Sequence, residues 1–289
     1  MAITAAMVKE LREKTGAGMM DCKKALVEVD GDLEKAVDYL REKGMAKAAK
    51  KAGRATSEGL VKIVASADGK KVALASVQCE TDFVSRGDDF KAFVDQVAQC
   101  ALEKEPADDA AMAELMGGAL TELIAKIGEN MKLGKFAVKK YAANQCAGQY
   151  IHTNGKLGVL VDLECGKAES CGTETVKNLG KEIAMQVAAM KPMALDRSSL
   201  DPAAIERERN VYREKARNEG KPDKIIDKIA EGAVSKFCKE VCLMEQACIR
   251  DDKKSVEQMV KEVAKELGDT IAVKGYTRIE LTAEEPKAE

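Results

Sequence analysis

Apolar residues recur at helical spacing three times within the first 44 positions. Val8 and Leu11 mark a first helix, which Thr15-Gly16-Ala17-Gly18 brings to an end. Cys22, Ala25, Leu26 and Val29 follow the i, i+3, i+4, i+7 spacing of a second. Asp32 stands where an N-cap belongs, ahead of a third inner face of Leu33, Ala36, Val37 and Leu40, and Gly44 is the expected stop. The basic stretch Lys47 to Arg54 then reads as a helical tail or linker. A unit this short buries little surface for its size and is marginal on its own.

Further along, the period changes from helical to alternating, and the middle of the chain repeats itself. At an offset of 86, Asp68-Gly69-Lys70 falls on Asn154-Gly155-Lys156, and the run Val72 to Cys79 falls on Gly158 to Cys165. The same offset lays Phe90, Phe93, Val97 and Pro106 on Val176, Leu179, Ile183 and Pro192. Each copy predicts a hairpin with an Asp-Gly or Asn-Gly turn, then an amphipathic helix that stops before proline. Two copies at a long period describe a duplicated α+β subdomain rather than a solenoid. Residues 108–130 read as helix and 135–152 as further strand. Asp201-Pro202 opens a charged helix that Asn218-Glu219-Gly220-Lys221-Pro222 breaks. Its return arm carries Ile225, Ile226, Ile229, Ala233, Phe237 and Val241, so 201–246 predicts an α-helical hairpin whose outgoing arm is too polar to bury. A last helix (254–267), a strand (270–281) and a frayed acidic tail (283–289) complete the pattern. The expected division is 1–54 helical with a linker, 55–144 first copy, and 145–289 second copy with the hairpin and a C-terminal module.

One segment breaks the repeat. After the strand Val72–Cys79 the first copy continues Glu80-Thr81-Asp82-Phe83-Val84, where the second has Gly166-Lys167-Ala168-Glu169. A core residue is expected in both copies, so a step present in one points to function. An acid beside a large ring, one of only five phenylalanines, suits prising something apart better than bond-making. Local pattern alone prefers a blander role for Phe83, a hydrophobic staple for a helix at 87–104.

Composition narrows the function. A chain of 289 residues with 45% apolar positions can bury a core of about two domains, and with aromatics at 3% that core is aliphatic. A net charge of −2 argues against bulk attraction to nucleic acid or membrane. No apolar run approaches the ~18–20 residues of a membrane span, and the amphipathic opening is unlike a signal peptide. Nine scattered cysteines fit reduced thiols packed as small apolar groups, and the expected location is the cytoplasm.

Catalytic equipment is scarce. His152 is the single histidine, so His clusters and Cys/His zinc sites are unavailable. Cys238 and Cys242 are four apart on a helix, without the paired short loops of structural zinc. Gly155-Lys156 and Gly220-Lys221 lack the rest of a phosphate loop. Asp88-Asp89 and Asp108-Asp109 read as helix N-terminal charges. Met19 and Met20 sit in a Gly-rich turn that cannot easily bury both, and methionine suits adaptable contact surfaces. The cations Lys47, Lys50, Lys51 and Arg54 leave an RNA-binding module as the alternative, although no aromatics interleave them.

Two stretches, Leu11-Arg12-Glu13-Lys14-Thr15-Gly16-Ala17-Gly18-Met19-Met20-Asp21-Cys22-Lys23-Lys24-Ala25-Leu26 and Cys79-Glu80-Thr81-Asp82-Phe83-Val84, resemble the signatures of the elongation factor Ts family. Similarity continues through Lys126-Ile127-Gly128-Glu129-Asn130, Gly158-Val159-Leu160-Val161, Ile183 to Ala189 and Gly220-Lys221-Pro222, spanning essentially residues 1–282 in the family's order. The resemblance implies a ubiquitin-associated-like three-helix domain, a duplicated α+β core with small antiparallel sheets, and a projecting helical hairpin. It implies a guanine-nucleotide exchange factor, not an enzyme, without a cofactor or metal of its own. The partner it implies is elongation factor Tu, GDP-bound or nucleotide-free, with no direct nucleic acid; a homodimer in a 2:2 complex is left open. Thr81, Asp82, Phe83 and Val84 are then expected to enter the partner's nucleotide domain near its magnesium. Arg12, Met19 and Met20 should contact another helix of that domain. Ile127 and Gly128 should lie beside the tip, and His152 should face the partner's third domain. Two departures stand out: Gln78 replaces a common Asn, and Ala247-Cys248 replaces a usual Pro-Phe, which weakens carry-over to the C-terminal contact.

Overall fold

Thr4 opens the first helix, α1 (Ala5–Thr15), by accepting the Met7 N–H on its hydroxyl at 3.3 Å. Gly16 ends it at φ 64°, a left-handed conformation that glycine adopts without steric cost. The computed structural model describes residues 2–282, so the expected acidic tail lies outside the described residues. Helices α2 (Met19–Glu28) and α3 (Leu33–Lys51) complete a three-helix unit around Val8, Leu11, Cys22, Ala25, Leu26 and Ala36. Asp32 caps α3 as its position predicts, accepting the Glu34 and Lys35 N–H groups at 3.1 Å.

Gly44 does not stop α3, contrary to the sequence pattern; the helix continues to Lys51. A Cβ built on Gly44 would lie 3.2 Å from the Ala125 Cβ of a helix at Asp109–Ile127. The missing side chain serves a close helix crossing, and the buried contact outweighs glycine's cost of roughly 1 kcal/mol within a helix.

Strands β1 (Glu58–Ala65), β2 (Lys71–Cys79) and β3 (Met131–Lys140) form one antiparallel sheet with β2 central. A single helical turn, α4 (Asp82–Ser85), leaves β2, followed by α5 (Asp88–Lys104) and α6 (Asp109–Ile127). Strands β4 (Gln145–Ile151), β5 (Leu157–Cys165) and β6 (Ile271–Glu280) form the second sheet, with β5 central. It is covered by α7 (Glu174–Met190) and α10 (Val256–Leu267). Both central strands are apolar on two faces because each is covered twice. Ala73, Ala75, Val77 and Cys79 pack with α5 and α6, while Val72 and Leu74 meet Leu160 and Ile279 of the other sheet. The layers therefore run helix, sheet, sheet, helix.

The duplication is present in three dimensions. Helices α5 and α7 both end on a non-glycine residue in the left-handed region, Glu105 at φ 50° and Lys191 at φ 46°, each followed by proline. Asp88 and Asp89 occupy the first turn of α5, and Asp108 caps α6, as their acid pairs predict. Between α7 and α10 the second copy carries the hairpin α8 (Pro202–Asn218) and α9 (Asp223–Val241). Only Ala216 of α8 is buried, and Arg209–Glu231 at 2.7 Å and Arg213–Asp227 at 2.8 Å join the arms. At the hairpin base, Arg197 grips both oxygens of Glu245 at 2.6 Å. All nine cysteines are free thiols, seven of them buried, which matches their reading as small apolar groups. Among the described residues no helix is long and apolar enough to cross a membrane.

Candidate partner-binding site

Strand β2 delivers the chain to Thr81 in extended conformation, and Thr81 caps the single turn α4. Its hydroxyl accepts the Val84 N–H at 3.4 Å and donates to Glu129 Oε1 at 2.7 Å. Its own N–H donates to Glu129 Oε2 at 3.0 Å, so one carboxylate holds this residue at two points. The turn closes on itself through Ser85, buried and donating to the Asp82 carbonyl at 3.1 Å. Gly87 then donates to the Val84 carbonyl at 2.9 Å and starts α5.

A turn with Val84 packed against the core behind β2 must direct its other face outward. That face is Asp82 and Phe83. The Phe83 ring is 84% exposed, the highest among the exposed large apolar residues described. The staple expected from local pattern is overturned: Ser85 lies inside α4, the N-cap of α5 is Gly87, and the ring stands in water. Asp82 pairs at 3.0 Å with Arg86 one turn on, an exposed contact of little energy.

Behind the tip lies a polar joint. Glu80 accepts the Asn130 N–H and pairs with Arg54 at 3.4 Å. The Asn130 amide donates to the Arg54 carbonyl at 2.7 Å, and Lys51 Nζ donates to the Gly128 carbonyl at 2.6 Å. Cys79, at the foot of the tip, is held neutral: burial, with Glu129 and Glu58 nearby, pushes its thiol up to about 12.

Ile127 is half-buried against the same core, and Gly128 caps α6 at φ 91°. Both therefore stand next to the residue that grips Thr81. Met19 and Met20 are 59% and 63% exposed at the start of α2, and Arg12 is exposed on α1. Their connecting loop reaches the tip's neighbourhood through Lys126, which pairs with Asp89 of α5 at 2.7 Å and passes 3.5 Å from where a Gly16 Cβ would sit. His152 is exposed on the β4–β5 turn, bonded to Tyr150 at 2.9 Å and outside the tip's hydrogen-bond network.

Among the cations of the alternative reading, Lys47 pairs with Asp21 at 2.9 Å, while Lys51 and Arg54 are engaged in the joint. Among the described residues no group of three or more His, Cys, Asp or Glu side chains is arranged to hold a metal. Glu129 and Asn130, which bond the base of the tip, are not singled out by the sequence reading. The available signal was Gly128-Glu129-Asn130 ahead of β3, echoed by Gly268-Asp269-Thr270 ahead of β6.

Comparison with known proteins places the chain among its relatives. The family model described as "Elongation factor TS" matches residues 80–283. Elongation factor Ts of Desulfovibrio desulfuricans is 65% identical over 284 residues, covering 98% of this chain and 99% of that protein. Elongation factor Ts of Nitratidesulfovibrio vulgaris is 52% identical over 281 residues (97% and 96% covered), and that of Clostridium novyi 46% over 287 (96% and 92%). A duplicated α+β core carrying helical appendages, matched end to end by these proteins, defines a translation elongation factor. The chain belongs to the elongation factor Ts family.

Proposed function

We propose that this chain is the guanine-nucleotide exchange factor of elongation factor Tu. It binds the GDP-loaded partner, displaces the partner's magnesium, lets GDP leave so that GTP can load, and holds the nucleotide-free form in between. It performs no bond chemistry and needs no cofactor of its own. The observation that carries this reading is Phe83, a bare ring on a clamped turn beside Asp82. Magnesium demands near-ideal octahedral geometry at roughly 2.0–2.1 Å, so displacing its surroundings by ~1 Å weakens it and the nucleotide it bridges. Seating the ring in an apolar cleft supplies ~1.5–3 kcal/mol. A thousandfold faster release needs roughly 4 kcal/mol. The ring alone falls short, and an extended interface supplies the rest.

The other parts of that interface are Arg12, Met19 and Met20 on the partner's nucleotide domain, Ile127 and Gly128 beside the tip, and His152 towards its third domain. The working division of the chain is 1–54, 55–144 and 145–289, and it acts in the cytoplasm. Linkage fixes the direction: whatever factor the chain takes from GDP affinity, GDP takes from the chain's own affinity. Because the chain is regenerated unchanged, it leaves the overall exchange equilibrium where it was and speeds both directions by the same factor. Chasing a fluorescent GDP from elongation factor Tu with unlabelled nucleotide tests this. Substoichiometric amounts of the chain should accelerate release, and an unchanged release rate at saturating amounts refutes the proposal.

A further inference from the structure

The carboxylate that grips the tip has a twin. Asp269 lies 140 positions on from Glu129, and Lys167 lies 86 on from Thr81. Asp269 Oδ2 accepts the Lys167 N–H at 3.1 Å, as Glu129 Oε2 accepts that of Thr81 at 3.0 Å. The glycine before each carboxylate ends a helix and accepts a lysine ammonium on its carbonyl. Gly268 takes Lys167 Nζ at 3.0 Å, and Gly128 takes Lys51 Nζ at 2.6 Å. The clamp therefore belongs to the duplicated fold, and two differences adapt the first copy.

First, Thr81 itself adds a hydroxyl bond of 2.7 Å to the second oxygen of Glu129, whereas in the second copy the Lys167 ammonium goes to Gly268 and the hydroxyl on Asp269 is that of Ser170. Glutamate, one methylene longer than aspartate, can engage the N–H and O–H of one residue with its two oxygens. Second, the ammonium on Gly128 comes from α3, the helix that runs out of the N-terminal unit, and not from the copy itself. Asn130 reinforces this tie through the Arg54 carbonyl, and Glu80 closes the ring between Asn130 and Arg54.

We infer that Glu129 is the positioning residue of the Asp82–Phe83 tip, and that the turn Gly128–Asn130 is the joint holding tip and N-terminal helices in one register. This rests on the exchange reading above. Hydrogen bonds to a charged acceptor are among the stronger ones. Without Glu129, Thr81 loses its anchor and the ring sweeps a wider arc. A misplacement of ~1 Å at an acting group can cost on the order of a hundredfold in rate.

Two measurements on the full chain test this, using Glu129→Ala, Glu129→Gln and Thr81→Val. Hydrogen exchange of the amides at 82–87, with no partner present, should rise about tenfold in Glu129→Ala. It should rise less in Glu129→Gln, whose amide accepts from only one of the two donors, and in Thr81→Val, which loses only the hydroxyl bond. The saturating rate of GDP release from elongation factor Tu should fall about tenfold in Glu129→Ala, with the half-saturating concentration within about twofold of wild type. In a Phe83→Ala background the same substitution should cause no further fall, because Glu129 acts only through the ring. Unchanged amide exchange overturns the inference, as does an equal fall in the Phe83→Ala background, which would make Glu129 a contact in its own right. If Phe83→Ala leaves release unchanged, Phe83 drops out of the exchange mechanism, and the amide measurement alone still decides whether Glu129 holds the tip; if the wild-type chain itself fails to accelerate release, it is the exchange reading that fails. Should Glu129→Ala not fold, the Gln and Val variants carry both comparisons.

Discussion

At the scale of single residues, Asp82 and Phe83 are presented outward by neighbours that are all satisfied inward. Val84 packs, Ser85 is buried, and Thr81 bonds at both its N–H and its hydroxyl. An exposed ring costs apolar hydration in the free protein, a cost that the proposed docking would recover. Cys79 beneath it is inert for the opposite reason. With its thiol pushed up to about 12, the thiolate fraction near pH 8 is on the order of one in ten thousand. Timed iodoacetamide labelling of native protein at pH 8 should modify half-buried Cys100 well before Cys79, with Cys79 reacting only on unfolding. Equal labelling rates would show that the foot of the tip opens freely.

The residue scale also shows where sequence reading stops. Asp32 is legible because a cap bonds to amides two and three residues on. Phe83 is half legible: its absence from the second copy marks it, while its local setting suggests a staple. Glu129 carries only a faint mark, the echo of Gly128-Glu129-Asn130 in Gly268-Asp269-Thr270, because its meaning depends on Thr81, a partner remote in sequence and brought close by pairing of β2 with β3.

At the scale of elements, contact distances between helices and strands set the tolerances. Gly148 of β4 faces Gly180 of α7 so closely that a Cβ on Gly148 would lie 2.4 Å from the Gly180 carbonyl. Gly148→Ala must push α7 off its sheet and should cost about 3 kcal/mol, read as a lower urea midpoint at an unchanged m-value. Gly44→Leu should wedge α3 away from α6 by the same logic and cost about 1–3 kcal/mol. The duplicated hairpin and helix were legible because both copies repeat turn, apolar face and terminal proline. Gly44 was not, because glycine reads as a stop in one dimension and as a contact in three.

The clamp of the second copy offers a pH test at this scale. The Ser170 hydroxyl, with the backbone N–H groups of Thr270 and Lys167, holds the Asp269 carboxyl below its usual 3.8. A lowered folded value means that stabilisation is fully present above 3.8 and is lost as pH falls through the depressed value. Asp269→Asn should therefore be less stable than wild type at neutral pH, and the gap between their urea midpoints should close in acid below that range. A gap independent of pH would remove the charge from the argument.

At the scale of the molecule, a small tip achieves a large effect only if the rest of the chain holds it in place. The helical unit, with Met19 and Met20 exposed, is tied to the tip's base through Lys51 and Arg54. Under the proposed function, two contact surfaces held in one frame avoid part of the ordering cost of binding them separately. The layered core was legible as two α+β copies, whereas the stacking of the two sheets on Val61, Val72, Leu74, Tyr141, Leu160 and Ile279 was not. Those positions read as ordinary strand interior until each central strand is seen to have two covered faces. The most direct measurement is stopped-flow release of fluorescent GDP from elongation factor Tu at saturating Phe83→Ala, beside wild type, with circular dichroism confirming the same fold. The account predicts an unaltered spectrum and release at least about tenfold slower; release as fast as wild type would contradict it.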